Sequence, residues 1–534
     1  MSNTAHVDTF VCDRLPPADA QPDFLFELPE LQYPERLNAA VELMRGGAAG
    51  ALAVVNDAGA WSYAEMDSLS DRIARLLVEE EGLVPGNRVL LRGPNGAMLF
   101  ACWLGVLKAG GVMVATMPIL RAGEIVTILE RAQVGHAIVD ARCLEDLTPA
   151  AAQAGTVRSL LTYEGDAGTG ELEARLAGVA DGFEPVETHR HDPALIAFTS
   201  GTTGKPKGCV HYHRDILACA DAFARHVLKP EAGSRWACSA PIAFTFGLGM
   251  LLIFPWRFGG TAVTIEQPGP KALLEAVERF GVTNLATAPT AYKAMLGCRG
   301  EHDLSSLTTC VSAGEHLPAA TWEAWRAATG LTIVDGIGAT EMMHIFISAS
   351  GDDIRPGATG KAVPGYRACV LDEAGNPLPH GTGRLAVKGP TGCRYFDDPR
   401  QAVYVQGGWN VTGDTYRADE EGYFWYVARS DDMIISAGYN IAAPEVENAL
   451  YAHPAVAECA VIGVQCEERG QRVKAFVVPA QGHTPGDTLT EELKAHVKAT
   501  IAPYKYPRDV EFVDALPKTA TGKLQRFALR ATAP

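Results

Sequence analysis

The sequence predicts an α/β protein built on parallel sheets layered with helices. Three observations point there. From about residue 60 amphipathic helical stretches alternate with short apolar strands. After about residue 360 the texture changes to hairpins. The last hundred residues form a separate run of helix, strand, strand and helix. With 534 residues, the chain also exceeds one ordinary core.

The elements follow in order. "SYAEMDSLSDRIARLLVEE" reads as an amphipathic helix with Asp67 or Ser68 near its start. "NRVLLRG" is a short strand. Ala97–Leu120 carries a single charge, Lys108, and is long enough to span a membrane. "KAGG" interrupts it and Pro118 follows, so a helix ("AMLFACWLGVLKA") feeding a buried strand ("GVMVATM") is expected. "GHAIVDA" is another strand, and "KALLEAVERFGVTNLATAP" and "AATWEAWRAATGLTIVDGIG" each read helix then strand. "YRACVLDEAGNPLPHGTGRLAVKG" reads as hairpins turning at "EAGNP" and "HGTG". "APEVENALYAHPAVAECAVIGV", "RVKAFVVPA" and "LTEELKAHVKATI" form the final unit, with a boundary near "ARSDDMI".

Composition excludes several classes. Hydrophobic residues make up 47 %, too many for disorder. The formal net charge of −17 argues against nucleic acid or an anionic membrane as main partner. The 12 cysteines form no Cys-x-x-Cys pair, which argues against a zinc ribbon or a thioredoxin-like site. The N-terminal stretch has acids and prolines where a secretory signal needs basic then apolar residues. The expected location is the cytoplasm, with reduced thiols.

"TSGTTGKPKG" (Thr199–Gly208) packs three glycines, four hydroxyl residues and two lysines into one loop. Its spacing does not fit the phosphate loop of nucleotide hydrolases, which needs Gly, four residues, then Gly-Lys-Ser/Thr; Pro206 stands where the second glycine would fall. It is therefore a different phosphate loop or a surface turn. Glycines admit backbone N–H groups to phosphate oxygens, hydroxyls donate, and Lys205 and Lys207 supply point charges. Three further stretches stand out: "DGIGATEMMH" (Asp335–His344), "WNVTGD" (Trp409–Asp414) and "PKTATGK" (Pro517–Lys523). Singly, each reads as well as a loop, a turn or a solvated lysine.

In this order and at these separations, the four resemble the adenylate-forming superfamily of acyl- and aryl-CoA synthetases, luciferases and peptide-synthetase adenylation domains. The resemblance runs from about Trp61 to Lys523. It implies a large N-terminal domain, 1–430, of parallel sheets layered with helices plus a small β-barrel-like subdomain, and a small mobile α+β C-terminal domain, 431–534. It implies that Thr199, Ser200, Gly201, Thr202, Thr203, Gly204, Lys205 and Lys207 grip the β- and γ-phosphates of ATP. Glu341 matches a magnesium-linked glutamate, Thr340 an α-phosphate contact, and Ala313, Gly314, Glu315, Asp335, Gly336, Ile337 and Gly338 the border of adenine. Ile337 departs from the family's usual aromatic residue, so apolar contact replaces stacking. Asp414 and Arg429 match the ribose carboxylate and its guanidinium partner. Asp431 matches the hinge, Lys523 the lysine required for adenylation, and Gly438 and Tyr439 the face presented for thioester formation.

The resemblance further implies ATP, Mg2+ and coenzyme A as cofactor and co-substrates, and a monomer or homodimer. "APIAFTFGLGMLLIFPW" (Ala240–Trp256) matches the acyl-pocket wall, with Phe244, Thr245, Phe246, Gly247, His344 and Ile345 as candidate lining. Phe244, Phe246 and Ile345 suit a flat ring. For His344 a place beside the carboxylate and a plain core role are equally open, and for Thr245 a pocket hydroxyl stands against a back-bond to the main chain. The pocket and "LFELPELQYPERLNAA" (Leu25–Ala40) look similar to the benzoate-CoA ligase group and, within it, to 2-aminobenzoate-CoA ligases. The rivals are an adenylation enzyme loading a separate carrier protein, a luciferase, and a non-catalytic adenylate-binding module; the last would be expected to have lost Lys523 or Glu341.

Overall fold

The computed structural model describes residues 4–166, 168–199, 206–300, 302–429, 432–436, 439–466, 470–501, 503–518 and 524–532. The chain divides into two compact units. One is Met1–Ala368 with Val387–Asn410; the other is Cys369–Ala386 with Val411–Pro534.

The first unit holds two sheets. One orders its strands Ser159–Tyr163, His136–Asp140, Arg88–Arg92, Val112–Thr116, Pro193–Thr199 and Lys207–Tyr212. The first five run parallel and the last returns antiparallel. Strands Arg88–Arg92 and His136–Asp140 are buried at every residue, as expected of parallel strands covered on both faces. The other sheet orders nine strands: Lys361–Ala362, Ile345–Ser348, Ile333–Gly338, Thr309–Ala313, Asn284–Thr287, Arg235–Cys238, Thr261–Val263, Leu52–Val55 and Ala60–Ser62. Its central strands are parallel, and antiparallel pairs close both edges.

The doubtful apolar segment forms helix Ala97–Lys108 and strand Val112–Thr116, as its break at "KAGG" predicts. Lys108 is buried yet paired, its Nζ 2.6 Å from both Asp67 Oδ1 and Asp71 Oδ1 on helix Tyr63–Glu79. Among the described residues no helix is long and apolar enough to cross a membrane. One expectation moves. Helix Tyr63–Glu79 is capped by Ser62, not near Asp67 or Ser68. The Ser62 hydroxyl accepts from the Glu65 N–H, and the Ser62 N–H donates to the Glu65 carboxylate. Ser-x-x-Glu is a reciprocal cap that starts the helix one turn earlier.

The second unit carries the hairpin strands, including Trp409–Ala418 paired antiparallel with Phe424–Arg429. Its C-terminal part pairs Val456–Cys466 with Gly470–Pro479, adds Asp509–Phe512 in parallel, and packs helices Ala443–Tyr451 and Asp487–Thr500 on its own core.

Candidate active site

The candidate residues of the first unit gather at carboxyl ends of parallel strands, where open α/β sheets leave a crevice. Cys238, Thr287, Ala313 and Gly338 each end a strand of the nine-stranded sheet. The segments that follow contain Phe244–Gly247, Gly314–Glu315 and Thr340–His344. Thr199 ends a strand of the other sheet and is the cross-strand partner of Lys207, so residues 200–206 join the two strands of a hairpin. Ser200–Lys205 themselves lie outside the described residues, as do Asp431, Gly438 and Lys523. Tyr439 begins strand Tyr439–Ala442.

Two glycines permit the tight reversal between strands Ile333–Gly338 and Ile345–Ser348. A Cβ on Gly336 would lie 2.7 Å from Ile345 Cγ2, and one on Gly338 would lie 2.8 Å from the His344 carbonyl oxygen. Between them a short 3-10 turn, Thr340–Met342, presents Thr340 and Glu341, and Met343 takes a left-handed φ of 65°. The Thr391 hydroxyl donates to the Met342 carbonyl at 2.7 Å and fastens this turn from behind.

Glu341 is buried. Burial raises its pKa, the nearby Cys209 sulfur adds to the rise, and a hydrogen bond from Tyr395 opposes it. The Tyr395 hydroxyl donates to Glu341 Oε1 and accepts from Lys207 Nζ at 2.8 Å, while Lys207 Nζ lies 3.9 Å from that Oε1. Behind the turn, His211 Nε2–H donates to the Thr340 carbonyl at 2.7 Å. Burial opposes charge on His211, but the Cys209 sulfur and the Asp215 carboxylate override it and hold the imidazole above its usual pKa. Asp215 is itself paired at 2.7 Å with Arg394, both fully buried. The Thr199 hydroxyl is buried without a partner among the described residues. Burial lifts the Asp335 carboxyl to about 8, with the nearby Gly336 N–H and Ser312 pulling the other way.

The apolar side is built around His344. Its ring lies 5.6 Å from Phe223, 5.7 Å from Phe246 and 4.5 Å from Phe254, centroid to centroid, and Nε2–H donates to the Phe246 carbonyl at 3.3 Å. Burial lowers its pKa to about 3, so the imidazole is neutral. Phe223 and Gly249 come from two π-helical stretches, Ala220–Leu228 and Gly249–Ile253. A Cβ on Gly249 would lie 2.3 Å from His344 Cδ2. Asn95 clasps the approach to this wall: its Nδ2–H donates to the Ala240 carbonyl at 3.2 Å and its Oδ1 accepts from the Ile242 N–H at 3.0 Å. Phe244 and Phe246 are half-buried, Thr245 is buried, and the side chain of Ile345 lies against Gly336.

In the second unit Asp414 and Arg429 face each other across two strands, Arg429 Nη1 3.5 Å from Asp414 Oδ1. Among the described residues no group of three or more His, Cys, Asp or Glu forms a metal cage. A single buried carboxylate fits Mg2+, which commonly keeps water and phosphate ligands and takes only one or two from protein. Reading the sequence missed Tyr395, His211, Asn95 and Gly249. The "HYH" after the glycine loop is a visible signal for His211; nothing local marks Tyr395.

A buried carboxylate on a Gly-Ala-Thr-Glu turn at the carboxyl end of a parallel strand points to a class, and the family models agree. The AMP-binding enzyme family matches residues 45–395, and the AMP-binding enzyme C-terminal domain matches 445–523. The chain belongs to this family, among its acyl- and aryl-CoA ligases. It is 39 % identical to the benzoate–CoA ligase of Thauera aromatica, over 94 % of this chain and 97 % of that one. Its fold matches the crystal structure of the anthranilate CoA ligase AuaEII in complex with anthranoyl-AMP, with TM-score 0.89, 34 % identity, and coverage of 95 % of this chain and 99 % of that one. It also matches a benzoate CoA ligase from Burkholderia xenovorans LB400, with TM-score 0.83, 34 % identity, and coverage of 92 % and 99 %.

Proposed function

We propose that the protein is an aryl-CoA ligase acting on benzoate or 2-aminobenzoate. An oxygen of the aromatic carboxylate attacks the α-phosphorus of ATP, pyrophosphate leaves, and an aryl-AMP forms. The thiol of coenzyme A then attacks the acyl carbon, loses its proton, and AMP leaves. The observation that carries the reading is the short span from Glu341 to His344. The turn Thr340–Met342 carries the carboxylate, and two residues past it stands a neutral, phenylalanine-enclosed imidazole. Such a junction suits an acid whose charged end meets phosphate and whose body is a flat ring.

In this reading Thr199, Lys207 and the loop between them hold the β- and γ-phosphates, with Thr340 at the α-phosphate. Asp335–Gly338 and Ala313–Glu315 border adenine, and Asp414 with Arg429 takes the ribose. Mg2+, held by Glu341, would supply charge neutralisation to the phosphates. Lys523 would bridge carboxylate and α-phosphate, offsetting the repulsion of two anions.

Thr245 supports the 2-amino preference. Thr245 is buried in the segment after strand Arg235–Cys238, and its hydroxyl makes no hydrogen bond with any described residue, which leaves it available to a ligand. With plain benzoate the hydroxyl stays unpaired, whereas an ortho-amino group gives it a partner. An unpaired buried hydroxyl costs roughly 1–3 kcal/mol, about tenfold to a hundredfold in specificity. The test is release of AMP with ATP, Mg2+ and coenzyme A across a panel of benzoates, for wild type and Thr245→Ala. The ratio of kcat/KM for 2-aminobenzoate over benzoate should fall in the variant, mainly through faster turnover of benzoate. An unchanged ratio removes Thr245 from recognition, and a panel without turnover removes benzoates as the acid.

A further inference from the structure

We propose that Tyr395 is a positioning residue of the nucleotide site, its hydroxyl standing between the Lys207 ammonium and the Glu341 carboxylate to orient both toward a metal-bound triphosphate. Tyr395 comes from a third segment, 188 residues from Lys207 and 54 from Glu341. Its Oη accepts from Lys207 and donates to Glu341 Oε1. Left to themselves, an ammonium and a carboxylate at this burial would close into a direct pair, because low dielectric strengthens their attraction. The hydroxyl stands in the way: nitrogen and oxygen remain 3.9 Å apart. Each charge is satisfied in part and not consumed. Glu341 Oε2 has no side-chain hydrogen bond among the described residues, and the lysine keeps donors for phosphate oxygens.

The tyrosine is itself fixed. Its N–H donates to Gln401 Oε1 at 2.9 Å, and Gln401 in turn donates to the Cys393 carbonyl at 3.2 Å. Tyr395 also pairs with Cys209 as an isolated bridge, two residues along the strand from Lys207. Tyr404 packs edge-on at 5.8 Å between ring centroids, and the whole tyrosine is 1 % exposed. A group held this firmly sets geometry and does not follow it.

The inference rests on the adenylate-forming reading but not on which acid is activated. Tyr395→Phe keeps the ring and removes the hydroxyl. Its affinity for Mg2+ with the β,γ-methylene analogue of ATP, measured by calorimetry, should fall roughly tenfold or more. The KM for Mg-ATP should rise in step. Affinity for AMP, which lacks the β- and γ-phosphates, should stay at the wild-type value, as should conversion of supplied aryl-AMP and coenzyme A to thioester. In a Glu341→Gln background the tyrosine substitution should add little. Wild-type affinity for the Mg-analogue overturns the proposal, as does equal loss for the analogue and AMP, or full additivity with Glu341→Gln. Should Tyr395→Phe fail to fold, Gln401→Leu loosens the tyrosine while keeping its hydroxyl. A selective loss for the Mg-analogue then supports the proposal, and no selective loss overturns it. Failure of the acid panel with a normal Tyr395→Phe effect would count against the acid reading alone.

Discussion

His344 is 2 % exposed among Phe223, Phe246 and Phe254, and burial lowers its pKa to about 3 from 6.5. The sign follows from linkage. The native state keeps the imidazole neutral, whereas the unfolded chain binds a proton below about pH 6.5. Stability is therefore complete above that value and falls as pH drops toward the folded pKa, by up to about 1.4 kcal/mol per pH unit for each such histidine. His344→Phe should flatten the slope of unfolding free energy against pH between pH 6.5 and 4.5, measured in urea; an unaltered slope would mean that His344 is charged in the native protein. Residues of this kind are partly legible in sequence. The Thr-Glu turn and the histidine three places on announce themselves, but the phenylalanines that decide its protonation lie far along the chain. Tyr395 is hidden for the same reason, since its meaning comes from partners 54 and 188 residues away.

The run from Thr245 to Arg257 passes from α-helix through a π-helical stretch to α-helix again. Read as sequence it is a uniform apolar segment, and period alone gives no sign of the wider turn. Its glycines do carry a signal, because each marks a close approach. A Cβ on Gly247 would lie 2.3 Å from the Pro241 carbonyl oxygen, and one on Gly249 would meet His344. Gly249→Ala should therefore push the imidazole or the helix. The expected result is roughly 1–3 kcal/mol of destabilisation and at least about a tenfold fall in kcat/KM for the aromatic acid, with the KM for ATP unchanged. Steady-state kinetics with each substrate varied in turn checks this. The alternating helices and strands were readable because apolar period and glycine breaks agree along them. The hairpin of Pro193–Thr199 and Lys207–Tyr212 was not, because the glycine-rich loop between them dominates the local pattern. The start of helix Tyr63–Glu79 shifts for a simpler reason: Ser62 and Glu65 make a stronger cap than Asp67 or Ser68.

For the whole molecule, we propose that the C-terminal domain of residues 431–534 moves between the two half-reactions. Asp432, one residue past the proposed hinge, is fastened to the C-terminal helix by Arg526 at 3.1 Å and Arg530 at 2.6 Å, and Arg526 is also paired with Glu447 at 2.7 Å. Rotation about residue 431 would thus start from a fixed anchor. Lys523→Ala should nearly abolish formation of aryl-AMP yet leave conversion of supplied aryl-AMP to thioester, and Asp431→Pro should spare adenylation more than thioester formation. Separate assays of the two half-reactions decide; equal loss of both in Lys523→Ala would count against a role confined to adenylation. The four motifs in order made the family legible, because chemistry fixes their types and sequence. The junction at the Tyr395 hydroxyl has a different consequence, one in time. Its three contributors are translated far apart, with Lys207 first and Tyr395 last. A nascent chain shorter than about 395 residues has both parallel sheets encoded but lacks the hydroxyl proposed to orient Lys207 and Glu341. During synthesis, then, every strand of both sheets is made before the proposed arrangement of Lys207 and Glu341 can be complete.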